Sequence, residues 1–166
     1  GTDGEDTLRR ALELGAVPMA GVRAGEAVKE FAASAGGCRF YSPSGAMGAD
    51  LLRSCGIETE LLFDPSERTT PADTKRAAEM MLALGVGLVV FAGGDGTARD
   101  ICSVIGESIP VIGIPAGVKI HSGVYAKRPR DAGMLVNKLL LGRVKRFAAA
   151  EVVDIDEEAF RDNVVR

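Results

Sequence analysis

Gly87-Leu88-Val89-Val90-Phe91-Ala92 runs straight into Gly93-Gly94-Asp95-Gly96-Thr97. The first six residues are apolar without alternation, which is the signature of a strand covered on both sheet faces. The glycines that follow make a tight turn, and Thr97 stands where a helix opens. Strand, glycine turn and helix in that order form the repeating unit of a parallel α/β sheet. Downstream, the pattern predicts a helix over residues 97–105, a buried strand over 110–114 and a glycine-containing loop to 123. A helix over 129–141 follows, with Ala132, Leu135, Val136 and Leu139 inward, and then a strand over 148–155. Upstream, Thr70-Pro71-Ala72-Asp73 supplies an N-cap, a proline at the first helical position and an acid three residues in. That helix runs to Leu84, turning Ala77, Met81 and Leu84 inward, and Gly85 stops it. Earlier still come a strand over 57–63 and a helix over 46–55 with Met47, Leu51, Leu52 and Cys55 on one face. A strand over 38–41 and a helix over 24–35, closed by Gly36-Gly37, precede them. Leu8, Ala11 and Leu12 predict a first helix over 5–14 that ends at Gly15.

The expected architecture is therefore α/β, a doubly wound and largely parallel sheet. Residues 1–36 read as a helical segment packed on the same domain, 37–155 as the α/β lobe, and 156–166 as a charged tail.

At 166 residues, with 46% hydrophobic and 26% charged, the composition is that of one globular domain. A net charge of -3 leaves no basic excess to hold a nucleic-acid backbone. No apolar run approaches a bilayer span, so no membrane partner is expected. Without Trp and with 5% aromatics, a stacking platform for single strands is excluded. Cys38, Cys55 and Cys102 are odd in number and lack metal-ligand spacing, so they read as reduced core thiols of a cytoplasmic protein. His121 is the sole histidine, which rules out a two-histidine metal site. Self-association stays open.

In open parallel sheets ligands bind beyond the carboxyl ends of the strands. Three glycine-bearing loops leave such ends: residues 42–48, 93–97 and 115–123. Gly93, Gly94 and Gly96 permit left-handed backbone and close approach, and with Thr97 they offer N–H groups at a helix start, a cradle for phosphate. A chance Gly-Gly-Asp-Gly-Thr in this length has odds on the order of 10⁻⁴. The alternative is a plain tight turn capped by Thr97. No Walker loop is present. A dinucleotide fingerprint would need Gly or Ala where Arg99 stands, which disfavours an NAD dehydrogenase.

Asp95 inside such a cradle would repel phosphate unless it faces a Mg²⁺, directly or through water, or accepts the proton of an attacking hydroxyl. Its bland alternative is an Asx turn. Asp100 lies five residues on and either faces the same ligand or is a solvated helix residue. Lys119 is a point charge for phosphate or a solvated lysine; Ser122 offers a hydroxyl, Gly117 and Gly123 allow close approach, and His121 reads as a loop residue. Ser44 and Gly45 line a base or ribose, or only the entry to a helix. Arg99 is expected to pair with nearby acids, and Thr70 and Asp73 to cap a helix.

The Gly-Gly-Asp-Gly-Thr segment resembles the motif of the NAD kinase and diacylglycerol kinase superfamily, related to phosphofructokinases. Three stretches are similar to one branch of it, the predicted ATP-NAD kinase, acetoin-catabolism X-like proteins. They are Thr69-Thr-Pro-Ala-Asp-Thr-Lys-Arg-Ala-Ala78, Phe91-Ala-Gly-Gly-Asp-Gly-Thr-Ala-Arg-Asp-Ile101 and Gly113-Ile-Pro-Ala-Gly-Val-Lys-Ile-His-Ser-Gly-Val-Tyr-Ala126. Gly1-Thr-Asp-Gly4 and Glu151-Val-Val-Asp-Ile-Asp-Glu-Glu-Ala-Phe160 also look like segments of that branch. The resemblance implies ATP or polyphosphate as donor and Mg²⁺ as cofactor. It further implies the adenosine-ribose 2′-hydroxyl of NAD as acceptor, with Asp95 as the motif aspartate. Two departures bear on the acceptor. Typical members carry Gly-x-Asn-x-Gly-x-Leu-Gly-Phe-Leu where this chain has Gly113-Ile-Pro-Ala-Gly117-Val-Lys119. They also carry a β-rich second lobe with an Asn-Glu motif, and neither occurs up to Arg166. A kinase of lipid, polyol or sugar hydroxyls and a nucleotide-binding accessory protein without turnover are the alternative readings.

Overall fold

The direction in which each strand turns its apolar side chains divides this molecule into two cores. The computed structural model describes residues 13–16, 18–19, 21–116 and 126–142. Within them lie β1 (Glu13–Ala16), β2 (Arg39–Ser42), β3 (Thr59–Leu61), β4 (Leu88–Gly93) and β5 (Val111–Pro115). The helices are α1 (Gly21–Phe31), α2 (Ala49–Ser54), α3 (Pro71–Leu84), α4 (Asp95–Ile105) and α5 (Pro129–Leu140). The strands form one sheet in the order β3-β2-β1-β4-β5, and every pairing is parallel.

Period-two alternation assigns the faces. Leu14 and Ala16 of β1, Leu88, Val90 and Ala92 of β4, and Ile112 and Ile114 of β5 join Ala24, Ala27, Val28 and Phe31 of α1 and Ala132 and Val136 of α5. Val89 and Phe91 of β4 and Val111 of β5 turn the other way. They meet Ala77, Ala78 and Met81 of α3 and Ala98, Ile101 and Ile105 of α4. Helices cover both faces, so the sheet is doubly wound as the continuous apolar strands predict. The chain builds outward from β1 through β2 to β3. Then α3 carries it back to β4, on the other side of β1. The winding reverses between β1 and β4, and the carboxyl ends of those two strands flank the crevice where such sheets bind ligands.

β1 corrects the sequence reading. A helix was expected through residue 14 with Gly15 as its stop; instead Glu13–Ala16 is the central strand, and residues 5–12 lie outside the described residues. Gly15 is there because α3 crosses β1 closely: a Cβ on it would stand 2.3 Å from the Met81 sulfur. The segment before residue 37 is thus not wholly helical; it supplies a strand and a helix to the same sheet.

The expected helix over 46–55 is also broken. A 3-10 turn, Gly45–Met47, is followed by α2 after Gly48. Met47 consequently enters the α3/α4 core and Leu52 the α1/α5 core, not one shared face. A Cβ at Gly48 would lie 2.9 Å from the Ser42 Cβ, so close passage over β2 accounts for glycine at the break. The start of α3 is as predicted. The Thr70 hydroxyl accepts from the Asp73 N–H at 3.3 Å while the Asp73 carboxylate accepts from the Thr70 N–H at 3.0 Å. The expected strand over 148–155 and the tail fall outside the described residues.

Candidate functional site

β4 ends at Gly93 and α4 begins at Asp95, two residues earlier than the sequence reading placed it. Gly94 is the N-cap, in extended backbone, and no side chain caps this helix. Ala98 N–H donates to the Gly94 carbonyl at 3.1 Å, and Ala116 N–H to the Gly93 carbonyl at 3.2 Å. These bonds hold the turn between β4, β5 and α4. Across the crevice, Ala92 N–H donates to the Pro18 carbonyl at 2.8 Å and Met19 N–H to the Met47 carbonyl at 2.7 Å. Pro18, Met19 and the start of α1 at Gly21 therefore form the wall facing the motif. Sequence reasoning missed that wall because it missed β1; the short apolar run Leu14-Gly15-Ala16 before Pro18 was the available signal.

The glycines of the turn do not use the left-handed backbone expected of them. None of Gly93, Gly94 and Gly96 has a positive φ. What matters is the missing Cβ. At Gly93 it would stand 2.7 Å from the Thr97 hydroxyl oxygen and 2.9 Å from the Thr97 Cβ, so Thr97 packs onto the turn. At Gly94 and Gly96 it would meet nothing within 4 Å. The two glycines flanking Asp95 leave the helix N-terminus open to an incoming group. First-turn N–H groups and the helix dipole favour an anion there.

Asp95 occupies the first helical position, half-buried. Asp100 lies on the same helix, and five residues rotate it by about 140° from Asp95. The two carboxylates do not share a helix face, which weakens the expectation that they meet one ligand. Arg99, expected to pair with acids, is exposed and makes no ion pair among the described residues.

Ser44 follows β2 on the same sheet edge. Its hydroxyl donates to the Asp64 carboxylate at 2.5 Å and its N–H to the Phe63 carbonyl at 3.0 Å. Gly45 adopts φ +64, the left-handed turn that brings the chain into Gly45–Met47. With β1 lying between β2 and β4, Ser44 stands about 10 Å along the edge from the motif. Ser44, Asp95 and the end of β5 thus share one edge. Gly117, Lys119, His121 and Ser122 lie outside the described residues.

No group of three or more His, Cys, Asp or Glu side chains among the described residues is arranged to hold a metal ion. Cys38, Cys55 and Cys102 are free thiols, each half-buried, and burial pushes Cys38 and Cys102 above the usual thiol range. A cavity of about 310 Å³ lies at the opposite sheet edge, lined by Gly37, Cys38, Arg39, Phe40, Glu58 and Glu60, away from every motif residue. No described helix is long and apolar enough to cross a membrane.

Residues 22–144 match the model of the ATP-NAD kinase N-terminal domain. No curated protein matches the chain. The matched span takes in α2 to α5, all of α1 but its first residue and the glycine turn at the reversal of the sheet, and on that extent the chain belongs to the NAD kinase family.

Proposed function

We propose that this chain is the nucleotide-binding lobe of a kinase that moves a phosphoryl group from ATP or polyphosphate to the 2′-hydroxyl of the adenosine ribose of NAD. The observation that carries the reading is the open turn of Gly94 and Gly96 around Asp95, on the crevice beside β1, in a chain of this family. In this reading the donor's phosphates lie against the N–H groups of residues 94–97, and the Thr97 hydroxyl adds a further donor. Lys119 and Ser122, with Gly117 allowing approach, follow β5 in the sequence and add charge and a hydroxyl to the phosphates; Ser44 and Gly45 line the nucleoside end.

Asp95 accepts the proton of the acceptor hydroxyl as the new oxygen–phosphorus bond forms and the bond to the leaving phosphate breaks. Mg²⁺ is commonly held by one or two carboxylates plus substrate phosphates, so a single Asp95 carboxylate beside a phosphate cradle suits it. The ion would neutralise phosphate charge there. A kinase of another hydroxyl acceptor is the second reading. It is favoured by Gly113-Ile-Pro-Ala-Gly117-Val-Lys119, which stands where NAD kinases carry their Asn-containing motif.

The test is Asp95→Asn in the full-length protein, with phosphate transfer assayed on NAD and on sugar, polyol and lipid alcohols. Asn keeps the size and the turn but cannot take a proton. Turnover should fall roughly 10²–10⁴-fold while melting temperature and ATP affinity hold. Wild-type turnover by the variant would assign Asp95 to the turn alone.

A further inference from the structure

Folding explains most of Thr70-Pro71-Ala72-Asp73-Thr74-Lys75-Arg76-Ala77-Ala78, but not Arg76. Thr70 and Asp73 cap α3, Pro71 starts it, and Ala77 and Ala78 enter the α3/α4 core. Arg76 is exposed and contributes to none of this. Its guanidinium nevertheless has a fixed seat, with its central carbon 4.3 Å from the centroid of the Phe63 ring. Phe63 follows β3, and its carbonyl is tied to the Ser44 N–H at 3.0 Å.

Asp64 adjoins Phe63 in the chain and Asp73 lies three residues before Arg76, and both accept hydrogen bonds from elsewhere. Asp64 accepts from the Ser44 hydroxyl, and Asp73 from the Thr70 N–H. The ion pairs of the described residues use other arginines, namely Arg39, Arg128 and Arg130. A guanidinium stacked on a ring keeps its edge N–H groups for a planar or phosphate oxyanion. The end of β3 and the start of α3 lie on the same sheet edge as the glycine turn. Three strand spacings separate β3 from β4, about 14 Å, so one phosphate cannot touch both places. A ligand with anionic groups spread along its length can.

We propose that Arg76, seated on Phe63, is a second phosphate-binding position on this edge, apart from the cradle at residues 94–97. The idea rests on the cradle reading, because it needs a ligand lying along the edge. Isothermal titration of the full-length protein would use three probes: ADP for the cradle, NAD for an acceptor pyrophosphate and inorganic tripolyphosphate for the donor end. Arg76→Gln should weaken either NAD or tripolyphosphate about tenfold or more, naming the source of the phosphate, with an unchanged melting temperature. Phe63→Leu should weaken the same probe by a smaller factor, and both losses should shrink at high salt. Unchanged affinity of Arg76→Gln for NAD and tripolyphosphate overturns the proposal. If Gly96→Val still weakens ADP in that case, the cradle stands without Arg76. If Gly96→Val leaves ADP unaffected while Arg76→Gln weakens its probe, the Arg76 position stands and the cradle falls. Failure of the wild type to bind any of the three overturns both.

Discussion

At the scale of single residues, the three glycines around Asp95 are not equivalent. Gly93 is packed: any Cβ presses on Thr97. Gly94 and Gly96 face open space. Gly93→Ala should therefore destabilise the fold by about 1–3 kcal/mol, the usual range for forcing atoms into a filled place. Gly96→Val should leave stability almost unchanged and cost nucleotide affinity instead. Chemical denaturation and nucleotide titration of both variants check the contrast; equal stability losses would mean that residue 96 is as confined as residue 93. Asp95 adds a carboxylate to the first turn of α4, where the dipole stabilises it. A phosphate arriving at the same N–H groups meets that charge, so turn stability alone does not account for an acid there in a phosphate site.

At the scale of elements, the tightest contact is the crossing of α1 and α5. A Cβ on Gly133 would lie 2.2 Å from the Ala27 carbonyl oxygen, which is backbone and cannot rotate aside. Helix propensity alone makes Gly→Ala favourable by roughly 1 kcal/mol. Here the sign should reverse, with a net loss of about 1–3 kcal/mol as the helices are forced apart. A rise in the denaturation midpoint of Gly133→Ala would show that the two helices do not meet so closely.

The start of α5 carries its own pH dependence. Arg128 donates to Asp131 at 2.9 and 3.1 Å, and these bonds, ahead of the opposing desolvation, hold the Asp131 carboxyl below the usual carboxylate range. A depressed folded value means that the contribution is complete above the unfolded value, about pH 4. It disappears as pH falls through the lower folded value. The pair is exposed, so the effect is small. Melting temperatures of wild type and Asp131→Asn should run parallel from pH 7 to about 4 and converge below it. A constant gap down to pH 2.5 would show that Asp131 does not act through its charge.

At the scale of the whole molecule, both cores draw residues from β2, β4 and β5, so neither persists without the sheet. We expect one cooperative unfolding transition. Cys38 packs against the α1/α5 core and Cys102 against the α3/α4 core, and they report on the two faces separately. In single-cysteine variants, thiol exposure at both positions should track far-UV circular dichroism through one denaturant midpoint. Two midpoints would mean that the faces unfold independently.

The local signals in the sequence determined a good deal. Continuous apolar runs marked β4 and β5, because strands covered on both faces have no polar side to show. Residues 70–73 marked the start of α3, because a capping box is closed within four residues and needs no partner from elsewhere. The glycine turn stood out through its composition as the candidate site. Tertiary structure decided what depended on distant contacts. Gly15 reads as a helix stop until Met81 is known to lie against it, and with that misreading the central strand, the strand order and the wall at Pro18 and Met19 are lost. The seat of Arg76 on Phe63 and the bond from Ser44 to Asp64 likewise join residues 13 and 20 positions apart in the chain. Propensity and periodicity act over one or two turns of chain, whereas a crossing helix or a reversal of winding is set by packing between segments whose separation no local pattern records.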